Sequence, residues 1–244
     1  MRENSRSDLP SSRNASDSRC EYETKFVFKN YSAGIIINWL KLRCWEDPAF
    51  PRGIVSSIYF DTKNWRFLRE KVNSDYLKTK VRVRWYADLD SGIPDEMSFL
   101  EAKYKIGSTR TKFRTPLSLS GKYLSHSRLD DPKILEIPHR LKNEGIAIPG
   151  PLFPVFQVSF KRRRFIEPKT GSRLSIDYDI CVPKVNYQMI RAVNPVHLRS
   201  AVFEMKGNIT DLPDVLHYLT ALGCHKQSFS KYASCYSEIM QLAT

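Results

Sequence analysis

The chain has 244 residues and is strongly basic, with 39 Lys and Arg against 26 Asp and Glu, a formal net charge of +13. This length suits one large domain with its own core, and the charge implies an anionic partner or a field that steers one. Apolar runs such as 34–37 are far too short to cross a bilayer as a helix. Nucleic acid, anionic membrane surfaces and phosphorylated metabolites remain as partner classes.

The first 19 residues are rich in Ser, Arg, Asn and Asp and hold almost nothing apolar. We therefore expect a flexible polar tail at 1–19, followed by one domain at 20–244. The N-terminus lacks the apolar core of a signal peptide, and the five cysteines show no CxxC or zinc-type spacing. These features predict reduced thiols and, by default, a cytoplasmic location. No membrane segment is expected, and the sequence identifies no membrane partner.

Turn signals divide the rest of the chain into segments with strand or helix character. Strands are predicted, in chain order, at 21–28, 54–60, 77–86, 98–105, 111–114, 155–166, 173–180 and 201–206. Helices are predicted at 32–43, 64–71, 130–143, 211–223 and 230–242, several of them after a residue that can cap a helix. This order predicts an α+β fold, a closed eight-stranded antiparallel β-barrel with peripheral helices.

Four of the strands carry basic residues two positions apart, so the cations of each strand share one face. These residues are Lys78, Lys80, Arg82 and Arg84, then Lys103 and Lys105, then Lys112 and Arg114, then Arg162 and Arg164. A closed barrel can gather such rows around a polar lumen, which suits a string of phosphates. Because DNA-binding proteins tend to place their charge on an exposed helix, no nucleic-acid partner is expected.

Three strands also carry a glutamate two positions before a lysine. The pairs are Glu23 with Lys25, Glu101 with Lys103, and Glu204 with Lys206. Any one of them could be a surface ion pair that contributes very little. Three pairs in strands with apolar partners favour another interpretation, in which glutamates hold a divalent cation that bridges to phosphate oxygens.

The segment Glu21-Tyr-Glu-Thr-Lys25 resembles the ExExK signature of the CYTH, or triphosphate tunnel metalloenzyme, superfamily. More closely, the chain from about residue 20 resembles the VTC domain, the polyphosphate polymerase branch of that superfamily. The supporting segments follow the family's order: TKF at 24–26, SIYFD at 57–61, KVRVRWY at 80–86, FLEAK at 99–103, FKR at 160–162, RLSID at 173–177, FEMK at 203–206 and SKY at 230–232. The resemblance implies an eight-stranded tunnel that binds triphosphate and polyphosphate with a divalent metal.

The resemblance also implies roles for single residues. Tunnel-wall positions that bind phosphates are matched by Lys25, Arg82, Arg84, Lys103, Arg162 and Arg173, and we add Lys80, Lys112 and Arg114 as wall residues. Lys231 matches a lysine that reaches the phosphates from the last helix, and Glu204 matches the metal-binding glutamate. Arg82, Arg84 and Lys231 are thus the predicted catalytic residues, and Mn²⁺ or Mg²⁺ is the predicted cofactor.

The resemblance implies a metal-dependent polymerase that passes the γ-phosphate of ATP to a growing polyphosphate chain, with ATP, triphosphate and polyphosphate as ligands. Two alternatives remain open. One is a tunnel triphosphatase that cuts inorganic triphosphate or nucleoside triphosphates; the other is a non-catalytic binder of polyphosphate or inositol polyphosphate. Transfer to a phosphate acceptor needs no general base, which fits five scattered histidines that form no catalytic constellation.

Overall fold

The computed structural model describes residues 22–107, 109–191, 195–209 and 211–242, so the predicted tail at 1–19 lies outside the described residues. The strands are β1 (Tyr22–Lys29), β2 (Trp45–Glu46), β3 (Arg52–Asp61), β4 (Leu77–Ala87), β5 (Pro94–Ile106), β6 (Thr109–Leu117), β7 (Phe153–Ile166), β8 (Arg173–Val185), β9 (Val196–His197), β10 (Ser200–Gly207) and β11 (His225–Lys226). The helices are α1 (Ala33–Lys41), α2 (Arg66–Val72), α3 (Gly121–His126), α4 (Pro132–Leu135), α5 (His139–Asn143) and α6 (Lys231–Leu242). The α+β class is confirmed.

All strands belong to one antiparallel sheet, with the order β11-β1-β10-β8-β7-β3-β4-β5-β6. The short strands β2 and β9 pair beside this path with β7 and β8. The prediction of a closed barrel is wrong, because in the described part of the chain β6 pairs with β5 alone while β1 pairs with β10 and β11. The sheet curls without closing, and residues of β1, β5 and β6 line one common cavity.

The two edges of the sheet show why it stays open. The middle of the outer edge of β1 is occupied, because β11 pairs with Phe26 and Val27 and the backbone N–H of Gln227 donates to the carbonyl oxygen of Lys25 at 3.0 Å. The other edge strand, β6, is mostly exposed and carries three cations and Pro116. Proline removes a donor and like charges disfavour a new neighbour, so this edge is not suited to pairing.

Two of the three apolar clusters lie on the convex side of the sheet, while the third, which includes Tyr59, Phe156 and Tyr232, fills part of the concave side under α6. In β4, Val81, Val83 and Trp85 are 0%, 0% and 1% exposed, whereas the alternate residues of the strand face the concave side. Helix α1 covers apolar residues of β1, β8 and β10, α6 packs on β7 and β8, and α3 to α5 pack on β4 and β5. In β4 the alternation of apolar and basic residues along the sequence sets which side chains face the concave side.

Two helix predictions need correction. The segment 130–143 holds two short helices, because Pro138 interrupts the hydrogen-bond pattern between α4 and α5. The segment 211–223 forms only a 3-10 helix, Asp214–Leu219, and α3 was not predicted at all.

In the described residues no helix is long and apolar enough to cross a membrane, and Cys44, Cys181, Cys224 and Cys235 are free thiols.

Candidate functional site

The concave side of the sheet holds a central cavity of about 160 Å³ that is rich in charge. Nine cations and three glutamates line it: Lys25, Lys80, Arg82, Arg84, Lys103, Lys112, Arg162, Lys206 and Lys231, with Glu23, Glu101 and Glu204. Larger cavities of about 1940 Å³ and about 490 Å³ share Glu23 and Lys103 with it. We call these three cavities together the trough. The two other predicted wall residues, Arg114 and Arg173, line the largest cavity.

Glu101 is the centre of a cluster of cations on one wall of the trough. Its carboxylate accepts from Nε of Arg82 at 2.8 Å and lies 3.4 Å from Arg114, with Arg84 and Lys112 each at 3.9 Å. Burial alone would raise the pKa of Glu101, but the charges of Arg82 and Arg84 lower it to about 2. The glutamate is therefore ionised at neutral pH and orients cations of the neighbouring strands β4 and β6.

Replacing Glu101 with glutamine is expected to cost about 3 kcal/mol of stability at neutral pH, the equivalent of a pKa lowered from 4.5 to about 2. Since the folded-state pKa is lowered, this stabilisation is present above pH 4.5 and is lost as the pH falls to about 2. Urea unfolding of both proteins across this range should show the difference shrinking with acid. The control Asp90→Asn, in an exposed pair with Arg52, should change stability by less than about 1 kcal/mol. A constant difference for Glu101→Gln across the range would contradict the assignment.

Asp177 binds two residues that the sequence predicts to contact phosphate, one from a strand and one from a helix. Arg162 of β7 binds it through two points, at 2.5 Å and 2.7 Å, and Lys231 of α6 donates to it at 2.5 Å. The side chain of Asp177 is completely buried. Burial would raise its pKa, but Arg162 and Lys231 hold the pKa well below the usual range. The carboxylate thus fixes both cations beside the central cavity.

Helix α6 is anchored so that Lys231 points into the trough. The hydroxyl of Tyr232 donates to Asp61 at 2.8 Å, and the Tyr232 ring stacks on Tyr59 and Phe156 at 5.0 Å and 5.2 Å between centroids. Asp61 is also buried and accepts from two backbone N–H groups at the start of α2. This buried network connects α2, β3 and α6, and fixes the backbone next to Lys231.

Four charged residues of β1 and β10 form a second cluster, separate from the one around Glu101, in which each lysine contacts both glutamates. In the register of the two strands, Lys25 stands opposite Glu204 and Glu23 opposite Lys206. The distances are 2.8 Å from Lys25 to Glu23, 3.5 Å from Lys25 to Glu204, 2.8 Å from Lys206 to Glu204 and 3.7 Å from Lys206 to Glu23. Burial would raise the pKa of Glu23, but Lys25 and Lys206 lower it to about 2.

Several cations of the trough also repel one another, although some of them contact a carboxylate. Burial, with the charges of Arg82 and Lys25, lowers the pKa of Lys80 well below its usual value. Burial and neighbouring cations also lower the pKa of Lys112 and, to about 10, that of Arg84. The positive charge therefore exceeds what the carboxylates neutralise, and a bound polyanion would relieve the repulsion.

Comparison with known families decides the family of this chain. A model of the VTC domain matches residues 46–240. The chain belongs to the VTC domain family. This confirms the resemblance inferred from the short motifs of the sequence. Curated protein sequences gave no match.

Three solved structures resemble this VTC domain at low sequence identity. A protein from Pyrococcus horikoshii OT3 is 14% identical, with a TM-score of 0.47, over 91% of this chain and 100% of that chain. Proteins from Bacillus halodurans and Vibrio parahaemolyticus are each described as a "putative adenylate cyclase". Their identities are 12% and 11%, their TM-scores 0.48 and 0.46, and the matches cover 87% and 92% of this chain and 93% and 99% of theirs.

Among the described residues, Glu23 and Glu204 together offer a place that fits a divalent cation. Glu23 and Glu204 lie on neighbouring strands and both contact Lys25, and their oxygens are the ligands that Mg²⁺ and Mn²⁺ prefer. Such ions need only one or two carboxylates when waters and substrate phosphates complete the shell. No group of three His, Cys, Asp or Glu suited to a metal occurs in the described residues. Glu21, the first acid of the ExExK signature, lies outside them.

Two residues of the site, Asp177 and Asp61, had no role predicted from the sequence. Asp177 stands two and four positions after Ser175 and Arg173, so strand parity could have placed it on the same face as a predicted wall residue. Asp61 ends the SIYFD motif, but nothing in the sequence indicates that it binds Tyr232 of the last helix. Parity was correct for the basic run 161–164: Arg162 and Arg164 line the trough, while Lys161 and Arg163 pair with acids elsewhere.

Proposed function

We propose that this VTC domain is a polyphosphate polymerase that transfers the γ-phosphate of ATP to the end of a polyphosphate chain, with Mn²⁺ or Mg²⁺. The observation that carries the proposal is the meeting of Arg82, Arg84, Arg162 and Lys231 in one small cavity. Guanidinium groups bind phosphate oxygens at two points, while a lysine acts as a mobile point charge. Cations from β4, β7 and α6 surround such a chain from several sides.

The reaction needs little covalent help from the protein. A terminal oxygen of the acceptor chain forms a bond to the γ-phosphorus, the bond from that phosphorus to the β–γ bridging oxygen breaks, and ADP leaves with this oxygen. Arg82 and Arg84 would stabilise the charge on the transferred group, and Lys231 would do so from the last helix. Lys25, Lys80, Lys103, Lys112, Arg114, Arg162 and Arg173 would hold the donor and acceptor phosphates in line.

Glu204, with Glu23 beside it, would hold the divalent cation, which when bound neutralises phosphate oxygens. In the absence of phosphate, Lys25 and Lys206 balance the two carboxylates. Asp177 and Glu101 act differently, because they position Arg162, Lys231 and the cations of β4 and β6 before the substrate arrives. Such preorganisation lowers the cost of ordering these side chains at the moment of reaction.

The state of the acids favours phosphate transfer over hydrolysis. The described carboxylates that line or adjoin the central cavity, Glu23, Glu101, Asp177 and Glu204, are all ion-paired, and their pKa values are lowered. Burial opposes this change, and the neighbouring Lys and Arg outweigh it. A carboxylate with a low pKa is a weak general base for a water molecule. The end of a polyphosphate chain is already anionic and requires no base.

The proposal is tested by incubating the purified protein with ATP and Mn²⁺, with polymer followed on a gel and free phosphate measured in parallel. We expect polyphosphate, and we expect Lys231→Ala to reduce its rate roughly 100-fold, as loss of one transition-state donor typically does. Free phosphate without polymer would favour the triphosphatase. If neither product formed with varied metals and primers, the non-catalytic binder would be the better explanation.

A further inference from the structure

The convex side of the protein exposes several large apolar side chains around α1. Tyr31, Ile35 and Leu42 are 84%, 63% and 81% exposed. They lie within residues 29–45, and we call this surface the α1 face. Exposed apolar side chains are ordinary when single, but several within one short segment mark a surface that contacts something apolar.

The geometry of α1 separates its buried and exposed sides. Ile36, Ile37 and Leu40 pack into the core at 0%, 7% and 0% exposed. Ile35 and Leu42 are seven positions apart and therefore lie on the opposite side, one above the other. The helix packs against the convex side of the sheet, so the α1 face points away from the trough.

Charge sets the chemistry of this surface. Lys29, Lys41 and Arg43 are exposed beside the apolar residues, and in the described residues none of the three forms an ion pair. No Asp or Glu occurs anywhere from 29 to 45. The 3-10 helix Asp214–Leu219 lies next to the α1 face, with the ring centroid of its half-exposed Tyr218 6.1 Å from that of Trp39. This helix carries one acid, Asp214, in its first turn. Two further acids border the segment, but Asp179 pairs with Lys161 and Glu46 with Arg163, so the cations of residues 29–45 set the sign of the α1 face.

We infer that the α1 face docks on the surface of an anionic lipid bilayer. Apolar side chains on one side of a helix, flanked by lysine and arginine and bordered by tyrosine and tryptophan, are the composition of interfacial helices. The apolar side chains enter the boundary between headgroups and acyl chains, and the cations bind lipid phosphate and carboxylate groups. This inference is independent of the proposed function, and docking in this way leaves the trough open.

The experiment is sedimentation of the full chain with vesicles of phosphatidylcholine that contain about 30% phosphatidylserine, compared with pure phosphatidylcholine. Saturating triphosphate is present throughout, so that the cations of the trough are occupied. We expect binding to the anionic vesicles only, weakened by salt. Ile35→Ser with Leu42→Ser should reduce the partition coefficient at least about tenfold, and Lys41→Ala with Arg43→Ala should reduce it several-fold.

Two matched controls make the result specific. Ile93→Ser with Tyr187→Ser changes two side chains that are each 67% exposed outside the α1 face, and Arg140→Ala with Lys142→Ala removes two exposed cations from α5. Both controls should bind like the wild type, and all variants should keep their melting temperature. Absence of wild-type binding would overturn the inference, and so would equal loss in the controls. A change of oligomeric state in Ile35→Ser with Leu42→Ser would assign the α1 face to a second copy and equally overturn it.

Discussion

We expect triphosphate to raise the melting temperature of the wild-type protein, and we expect replacement of both Arg82 and Arg84 with alanine to abolish this rise. A ligand that binds only the folded state at about a hundred times its Kd stabilises it by about 2.7 kcal/mol, or roughly 5–10 °C in a domain of this size. Arg82 and Arg84 line the central cavity with Arg162 and Lys231, so their loss removes the two guanidinium groups of β4 that we propose to bind phosphate. Thermal unfolding with and without triphosphate measures the effect.

Two further variants distinguish loss of phosphate binding by Arg82 and Arg84 from a general loss of positive charge. Arg82→Lys with Arg84→Lys keeps the charge but loses two-point binding, and should retain part of the rise. Arg140→Ala with Lys142→Ala lowers the net charge equally on the outside of α5 and should retain all of it. The wild-type rise should shrink as salt increases, because ions screen exposed charges. An unchanged rise in the double alanine variant would place the anion site elsewhere.

Glu204→Gln is expected to reduce turnover by roughly 100-fold or more while triphosphate still raises the melting temperature. Glutamine keeps the shape of the side chain but loses the charge that attracts a hard cation. The cations proposed to bind phosphate remain, and loss of this acid leaves Lys25 and Lys206 freer to contact phosphate. Comparing steady-state rates over a range of Mn²⁺ with thermal shifts in triphosphate separates the two effects.

Glu101→Gln is the matched comparison, because it removes the same charge from the same trough. Glu101 contacts four cations of β4 and β6 and is not proposed to hold the metal. It should therefore leave the Mn²⁺ concentration for half-maximal rate unchanged, even if the maximal rate falls. Full metal-dependent activity in Glu204→Gln would show that the metal assignment is wrong, whichever reaction is found.

Strand parity was the part of the site that the sequence could predict. In β4 the apolar residues Val81, Val83 and Trp85 must enter the core, and the alternate residues are then forced to the concave side. The same alternation placed Arg162 correctly within a run of four basic residues. Local pattern is sufficient here because a shift of one residue would expose every apolar side chain of the strand.

Features that depend on distant partners could not be predicted in this way. The eight predicted strands are all present but closure was wrong: β1 pairs in part with β11, a two-residue strand with no pattern of its own, and not with β6. Asp177 gained its importance from Lys231, 54 positions later in the chain. The 3-10 helix at Asp214–Leu219 replaced a longer predicted helix, although the cap and proline signals favoured the longer one.

A crystal structure of the protein with triphosphate tests the central claim, that the trough binds the phosphate chain, most directly. We expect phosphate oxygens within hydrogen-bond distance of Arg82, Arg84 and Arg162, with Lys231 turned from Asp177 toward the ligand or shared with it. Triphosphate bound only on the outer surface, with Arg82 still held by Glu101 and Arg84 by Ser57, would contradict it.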